Sequence, residues 1–427
     1  MKRTATRTPW TWIPTLYFAE GLPYVLVMTV SVIMYKRLNL SNTEIAFYTS
    51  WLYLPWVIKP IWSPLVDLLR TKRFWIVAMQ VLVGAALAGV AFTLPMSKFF
   101  QYSLAFFWLM AFSSATHDIA ADGFYMLGLS QHDQAFFVGI RNTFYRLAML
   151  AGQGPLVILA GYLEKNSTSI ALAWSFAFFL FAALFLAFGI YHLMMLPRPA
   201  ADVKQQTSNL PSFLKGFGEI FISFINKKGI VAGILFLLLF RLGESQLAKM
   251  ASPFLLDKKV AGGLELDTSE IGFLYGTAGI VALTLGGILG GIVVSRAGLK
   301  RWLWPMVLAM NVPNLVYVLL ATSQTSQLFV IGAAIVAEQF GYGFGFTAYV
   351  LYMIQLAAGE HKTAHYALCT GLMALGMMLP GMASGWIEDQ IGYINFFVWV
   401  CLCTLPGFIL IPFLKFDPEF GKKQTSA

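Results

Sequence analysis

The chain has 427 residues, of which 58% are hydrophobic and only 11% are charged, and its formal net charge is +9. A soluble protein carries roughly 25% charged residues, so this composition excludes an ordinary soluble domain. Apolar runs of about 20 residues, long enough to cross about 30 Å of hydrocarbon, recur along the whole length. Porin-type strands would instead alternate over about 10 residues. The sequence therefore predicts an all-α integral membrane protein.

Twelve apolar runs follow one another along the chain, and each predicts one membrane-spanning helix. They cover residues 12–35, 44–66, 74–95, 102–130, 136–162, 170–196, 229–256, 269–294, 302–321, 327–356, 364–387 and 394–414. The longest polar connection comes after the sixth run. We therefore expect a six-helix bundle at 1–196, a linker at 197–228 with a short surface helix at 213–224, and a second six-helix bundle at 229–427 ending in a short tail.

The positive residues are distributed unevenly between the two sides of these predicted spans. Both tails and the loops after even-numbered spans hold 18 of the 29 Lys and Arg residues, whereas the opposite loops hold six. Cytoplasmic loops carry an excess of Lys and Arg, so both termini and the linker are expected in the cytoplasm. The same bias explains the basic net charge without a nucleic-acid partner.

The two halves repeat a basic loop 228 residues apart. The first copy runs from Ser63 to Arg73 and contains Asp67, Arg70 and Arg73. The second copy runs from Gly291 to Arg301 and contains Arg296. This pattern resembles the G-x-x-x-D-R-x-G-R-R gate motif of the major facilitator superfamily. The resemblance implies two six-helix bundles related by an axis along the membrane normal. It also implies a gating role for these four charged residues.

Five acidic residues lie well inside predicted spans, away from the span ends. A charge at the bilayer centre costs roughly 3 kcal/mol or more, so each needs a partner, a water-filled cavity or a bound proton. In the superfamily that the chain resembles, spans 1, 4, 7 and 10 line the central cavity. The acids belong to those four spans: Glu20, Asp118 and Asp122, Glu244, and Glu338. They are the candidates for proton coupling.

Two arginines in the fifth span are the obvious partners for the aspartates of the fourth. Counting from the loop centre near His132, Asp122 and Arg141 fall at about the same depth, and so do Asp118 and Arg146. With a rise of 1.5 Å per residue, an antiparallel hairpin permits both pairs. Either each pair is a static salt bridge, or the carboxylate carries a proton and is released when its Arg is drawn to a substrate.

The seventh span adds further charges. Arg241 and Glu244 are separated by three residues and are expected to neutralise each other, and Lys249 lies two turns beyond Arg241 on roughly the same side. His117 points to a different face of its helix from Asp118, which favours a packing or polar-interface role over ligand binding.

Several stretches together resemble the AmpG-type muropeptide permeases. They are Phe18–Pro23, the signature at His117–Phe124 in which the family usually has Gln at the first position, Arg141–Gly152, Phe240–Glu244 with Pro253–Leu256, and Glu338–Ala348. The resemblance implies import of anhydro-muropeptides into the cytoplasm, driven by the proton gradient. Such cargo carries several carboxylates, which gives Arg146, Arg241 and Lys249 a charge-pairing role. Further substrate contacts are expected at Arg141, His117, Tyr145 and Gln339.

Other classes of function find little support in the sequence. No phosphate-binding loop, zinc site or activated nucleophile is recognisable, so no cofactor, no metal and no enzymatic activity are expected. The predicted location is the bacterial inner membrane, where the chain would meet lipid, a small anionic substrate and protons, as a monomer. The alternatives are a transporter of another anionic conjugate, such as an acyl-CoA, a siderophore or a peptide, and a transporter-like sensor that binds ligand without moving it.

Overall fold

The computed structural model describes residues 8–200, 202–203, 210–359, 361–415, 417 and 420. Throughout those ranges the chain is helical or in turns, without a β-strand. Contacts between Cα atoms divide the chain into two units. Unit 1 comprises Met1–Met34 and Ile61–Ser208, and unit 2 comprises Tyr35–Pro60 and Asn209–Ala427. The stretch Tyr35–Pro60, which belongs to the first predicted bundle, is therefore grouped with the second half of the chain.

The helices before the linker are α1 (Pro9–Arg37), α2 (Asn42–Trp51), α3 (Leu54–Leu69), α4 (Lys72–Thr93), α5 (Phe99–Gly128), α6 (Gln131–Gln153), α7 (Pro155–Asn166) and α8 (Ile170–Met195). The helices from the linker onwards are α9 (Leu210–Ile225), α10 (Ile230–Leu239), α11 (Leu242–Leu256), α12 (Thr268–Ala297), α13 (Leu299–Asn311), α14 (Leu315–Ser323), α15 (Leu328–Ala357), α16 (Lys362–Leu402) and α17 (Leu405–Leu410). The predicted surface helix in the linker corresponds to α9.

By length and apolar composition, nine helices in the described ranges qualify as membrane spans. Three features account for the difference from the twelve predicted spans. A turn at Leu52–Tyr53 separates α2 from α3, and α5 is long enough but carries two aspartates and a histidine. The last two predicted spans form one continuous segment, Ala364–Phe413, which bends at Gly392, where φ is +72°.

Local sequence explains where the helices begin and end. Ser41 and Glu44 form a capping box at the start of α2, and Thr71 and Ser130 accept hydrogen bonds from the first turns of α4 and α6. Such caps satisfy backbone N–H groups that have no partner within the helix. At the other end, α12 stops at Gly298, whose φ of +82° favours glycine.

Unit 1 is held together by aromatic packing. Helix α4 packs against α5 and α8, and α1 packs against α6 and α5. The rings of Trp12 and Phe124 meet edge to face at 5.3 Å within a buried cluster that also contains Ile119 and Tyr125. This packing fixes the face that α5 presents to α1.

Unit 2 is organised around two long helices. Helix α15 packs against α12 and α13, while α16 packs against α11 and α2. Phe240 and Tyr349 stack at 5.1 Å in the core between α10, the following turn and α15. Small residues allow the close approaches, since a Cβ added at Gly286 would lie 2.1 Å from the carbonyl oxygen of Phe340.

The substitution Gly286→Ala is expected to destabilise the protein by about 1–3 kcal/mol, because the new methyl group overlaps the backbone of α15. Gly291→Ala on the same helix is the matched control, since nothing lies within 4 Å of the Cβ that it adds. Thermal unfolding of both purified variants in detergent measures the difference. Equal midpoints for the two variants would contradict this packing.

Candidate functional site

Helices α1 and α6 meet without an intervening side chain at Gly21. A Cβ at this position would lie 2.7 Å from the carbonyl oxygen of Tyr145, so only glycine fits unless the backbone shifts. The contact brings the face of α1 that carries Tyr17 and Glu20 towards Arg141 on α6. Tyr145 itself is half-buried.

Asp122 and Arg141 form an ion pair in unit 1. A guanidinium nitrogen of Arg141 lies 2.8 Å from Oδ1 of Asp122, and the hydroxyl of Tyr17 donates to the same oxygen at 3.3 Å. The guanidinium also faces the rings of Tyr17 and Tyr125, at 4.4 and 5.1 Å from their centroids. The pairing predicted from helix depth is confirmed, and the two tyrosines are partners that the sequence reasoning did not identify.

A second acidic contact lies beside this ion pair. Glu20 is buried next to the carboxyl groups of Asp118 and Asp122, and its Oε2 atom has no hydrogen-bond partner among the described residues. Negative charges gathered in a buried place repel one another, and a proton bound by one carboxyl group relieves that repulsion. The predicted pairing of Asp118 with Arg146 stays a prediction, and Arg146 is half-buried on α6.

His117 belongs to a buried chain of hydrogen bonds on another face of α5. Its Nε2 atom lies 2.9 Å from the amide nitrogen of Gln80, whose amide oxygen lies 2.9 Å from Nδ1 of His192. Nε2 of His192 is 2.9 Å from the hydroxyl of Thr15. The chain thus connects α5, α4, α8 and α1. Gln80 and His192 were missed as functional candidates, although a Gln and a His inside apolar runs were the available signal.

The direction of this chain assigns the protons on both imidazole rings. With its amide placed as found, Gln80 donates to Nε2 of His117 and accepts from Nδ1 of His192. Nε2 of His117 then carries no proton. This geometry matches the packing and polar-interface role inferred for His117, and its role as a substrate contact stays a prediction.

In unit 2, Arg241 and Glu244 neutralise each other. Two guanidinium nitrogens of Arg241 donate to the two carboxylate oxygens of Glu244, one of them at 2.7 Å, and a further bond reaches the hydroxyl of Tyr342 at 2.8 Å. Phe346 covers the guanidinium at 4.9 Å. A bidentate pair of this kind is well oriented, and it confirms the neutralisation predicted from the spacing.

The surroundings of Glu338 differ from those of Glu244, whose charge is neutralised by Arg241. The side chain of Glu338 is buried on α15 and accepts a hydrogen bond from the amide of Gln339 at 2.9 Å. Among the residues that the structure describes, no cation contacts its carboxyl group. Within unit 2, Glu338 is therefore a more suitable proton carrier than Glu244, whose charge is already compensated. Both roles remain predictions.

Lys249 is a buried cation on α11. Its ammonium group donates to the hydroxyl of Thr49 at 2.9 Å and faces the ring of Tyr53 at 5.3 Å. Both partners come from the stretch Tyr35–Pro60 of unit 2. In the described part of the chain, no carboxylate forms a salt bridge with it.

The predicted gate residues lie at the helix ends. Arg73 donates to the carbonyl oxygens of Leu193 and Leu196 at the end of α8. Its backbone N–H and that of Lys72 donate to the carboxylate of Asp202 in the linker, at 3.0 and 2.7 Å. This carboxylate binds the N-terminus of α4, where the helix dipole favours negative charge.

For the other three predicted gate residues, the structure describes fewer contacts. Arg70 is exposed, with its guanidinium 5.5 Å from the ring of Phe74, and Arg296 is exposed near the end of α12. The side chain of Asp67 lies outside the described part of the structure. The gating roles of all four residues stay predictions.

A polar cluster at the start of α2 was not anticipated. Lys36 pairs with Asp257 at 2.6 Å and donates to Oδ1 of Asn42 at 2.7 Å. The amide nitrogen of Asn42 donates to Glu388 at 2.7 Å and to the hydroxyl of Tyr393 at 2.9 Å. Tyr393 in turn donates to Asp257 at 2.6 Å. The cluster links the first residues of α2 to α16 and to the end of α11.

Comparison with known proteins identifies the class. The model of the Major Facilitator Superfamily matches residues 15–379. Among solved structures, a D-xylose-proton symporter superposes with a TM-score of 0.71 at 12% identity, covering 95% of this chain and 97% of that one. The nucleoside transporter NupG superposes with a TM-score of 0.67 at 16% identity, covering 95% and 98%. The protein is a multi-pass membrane transporter of the secondary type and not an enzyme.

The chain belongs to the Major Facilitator Superfamily, which confirms the predicted all-α, twelve-helix fold. It is 27% identical to the anhydromuropeptide permease of Escherichia coli K12 over 401 residues, covering 93% of this chain and 77% of the relative. It is 24% identical to putative transporter AmpG 4 of Rickettsia conorii over 414 residues, covering 94% and 95%. The resemblance to AmpG-type permeases is thereby confirmed.

Replacing Gln80 by Leu is expected to lower the free energy of unfolding by about 1–3 kcal/mol for each imidazole left without its partner. Gln101→Leu is a matched control, because Gln101 lies exposed on α5. Thermal unfolding in detergent compares the two variants with the parent protein. An unchanged midpoint for Gln80→Leu would mean that the buried chain contributes nothing to stability.

Proposed function

We propose that the protein is a proton-coupled importer of anhydro-muropeptides in the bacterial inner membrane. The observation that carries the proposal is the grouping of the buried Glu20 with Asp118 and Asp122, beside the Asp122–Arg141 ion pair. The identity of the cargo is supported by the names of the relatives, which match nearly the whole chain.

The carboxyl pair supplies a proton-binding site. A proton held by Glu20 or Asp118 allows the two carboxyl groups to lie near each other. When that proton leaves, two negative charges remain close together in a buried place and repel each other. The contact then separates, which couples the loss of a proton to a movement of α1 against α5.

The neighbouring ion pair supplies a link to the cargo. Arg141 is held by one carboxylate and by two tyrosine rings, and its side chain is 23% exposed. A carboxylate of the cargo competes with Asp122 for the same guanidinium. Once Asp122 loses this arginine, its charge is less well compensated and it takes up a proton more readily. Binding of cargo and binding of protons thereby favour each other.

The charge distribution supports the proposed orientation in the membrane, and the proposed direction comes from the resemblance to AmpG-type permeases. An excess of Lys and Arg in the tails and even-numbered loops supports cytoplasmic termini. Import towards that side, by alternating access of a monomer, uses the inward proton gradient. A pH difference of one unit supports at most about tenfold accumulation for each coupled proton, because tenfold corresponds to about 1.4 kcal/mol.

Uptake of labelled anhydro-muropeptide into proteoliposomes tests the proposal. The parent protein is expected to accumulate cargo against its gradient when the outside is acidic and to stop when a proton ionophore is added. Accumulation that ignores the ionophore would exclude proton coupling. Binding without accumulation would favour the sensor, and accumulation of an acyl-CoA, siderophore or peptide instead would favour another anionic cargo.

Glu20→Gln and Asp118→Asn are each expected to abolish accumulation, because neither retains the pair of titratable groups. Exchange of labelled for unlabelled cargo at equal concentrations should continue in both variants, since it requires no net proton movement. Glu219→Gln, at an exposed position of α9, is the control and should accumulate cargo normally. If both site variants still accumulate cargo, the carboxyl pair is not the proton carrier.

A further inference from the structure

The ammonium group of Lys249 lies in a buried place that is short of hydrogen-bond acceptors. The residue is only 2% exposed, and an ammonium group offers three N–H donors. One of them reaches Thr49, and the ring of Tyr53 faces the group from 5.3 Å. The described residues provide no further acceptor for it. A buried cation without a counter-charge is strongly destabilising.

Ser50 provides a second unsatisfied group beside it. Its hydroxyl is fully buried and, within the described part of the chain, has no hydrogen-bond partner. The hydroxyl of Thr49, in contrast, already donates to the carbonyl oxygen of Ile45 at 2.6 Å and therefore meets Lys249 as an acceptor. Ser50 is the free donor of the pair.

Gly381 on α16 connects these two groups. A Cβ at Gly381 would lie 2.8 Å from Oγ of Ser50 and 3.5 Å from Cγ of Lys249. The serine hydroxyl and the lysine stem thus flank the same backbone position, which has no side chain. A hydroxyl without a described partner and the stem of a buried lysine are therefore found beside the same glycine.

We infer that Lys249 and Ser50 form a subsite for one carboxylate of the cargo. A carboxylate brings the single negative charge and the acceptor oxygens that these donors lack. One ammonium group balances one carboxylate, whereas a phosphate with two charges would leave an excess. This inference rests on the proposed function, because it assigns the subsite to the peptide part of an anhydro-muropeptide.

Access to the subsite depends on α2, which covers it in this structure. The first residues of α2 are tied to α16 by the polar cluster of Asn42, Glu388 and Tyr393. A Cβ at Gly385 would lie 2.1 Å from the carbonyl oxygen of Asn42, so the two helices are in direct contact there. When α2 separates from α16, Thr49 leaves Lys249, and a carboxylate takes its place.

The experiment compares two forms of the same anhydro-muropeptide, one with free peptide carboxylates and one with those groups converted to amides. Binding to the purified full-length protein is measured for the parent, Lys249→Met and Ser50→Ala. The parent is expected to bind the acid about tenfold to a hundredfold more tightly than the amide, the range for one charged hydrogen bond. In Lys249→Met the part of this preference that Lys249 contributes should be lost, about tenfold or more, and only the part contributed by Arg141 should remain, while in Ser50→Ala the preference should shrink several-fold.

Two controls keep the result interpretable. Lys249→Met removes an uncompensated buried charge, so its thermal midpoint should equal or exceed that of the parent. Lys98→Met, at an exposed lysine, should keep the full preference for the acid. A preference for the acid that is undiminished in Lys249→Met would overturn the subsite, and so would equal loss of acid and amide binding in that variant. A parent protein that binds neither form would overturn the proposed function as well.

Discussion

The neutralisation of charge inside an apolar helix bundle is the constraint on which the rest of the structure depends. Each buried ionic group has to be given a counter-ion, a proton or a ligand, because hydrocarbon offers none. The protein uses different solutions for different groups. Arg241 and Glu244 are a closed bidentate pair, Asp122 and Arg141 are a partly exposed pair, Glu20 lies beside Asp118, and within the described residues Lys249 has a hydroxyl and an aromatic ring as neighbours. In the proposed mechanism the closed pair has a structural role, and the other groups are where binding energy is available for function.

The surroundings of the ionic groups also differ between the two units. In unit 1 the groups to which we assign the proton are acidic and lie on α1 and α5. In unit 2 a cation on α11 and an acid on α15 have no counter-ion among the described residues. The proposed substrate and proton chemistry is therefore spread over both units rather than concentrated in one residue. The His117–Gln80–His192 chain stands apart, because its side chains are hydrogen-bonded to one another and connect the helix that carries the aspartates to its neighbours.

How much was predictable depended on whether a contact follows from a regular repeat. The Asp122–Arg141 pair could be read from the sequence, since a helical hairpin has a fixed rise and equal depth follows from counting. The Arg241–Glu244 pair followed equally from a spacing of three. The contact between Glu20 and Asp118 could not be read, because it depends on how α1 crosses α5. That crossing is set by Gly21 against the backbone of Tyr145 and by the packing of Trp12 on Phe124. The contacts of Lys249 could not be predicted from the sequence either, since Thr49 lies 200 residues away in the chain.

The position of Tyr35–Pro60 bears on how the gene could be divided. A cut in the linker would separate two polypeptides of similar length, but the second would lack the stretch that packs on α11 and α16. Expressed alone, it would expose the glycine-lined side of α16 and leave Asp257 without Lys36. The first polypeptide would keep all of unit 1 and carry the extra stretch without its packing partner. Each fragment would thus present the complementary surface that the other needs. Co-expressed halves are accordingly expected to reassemble through α2, which would form the interface between the two fragments of a split transporter.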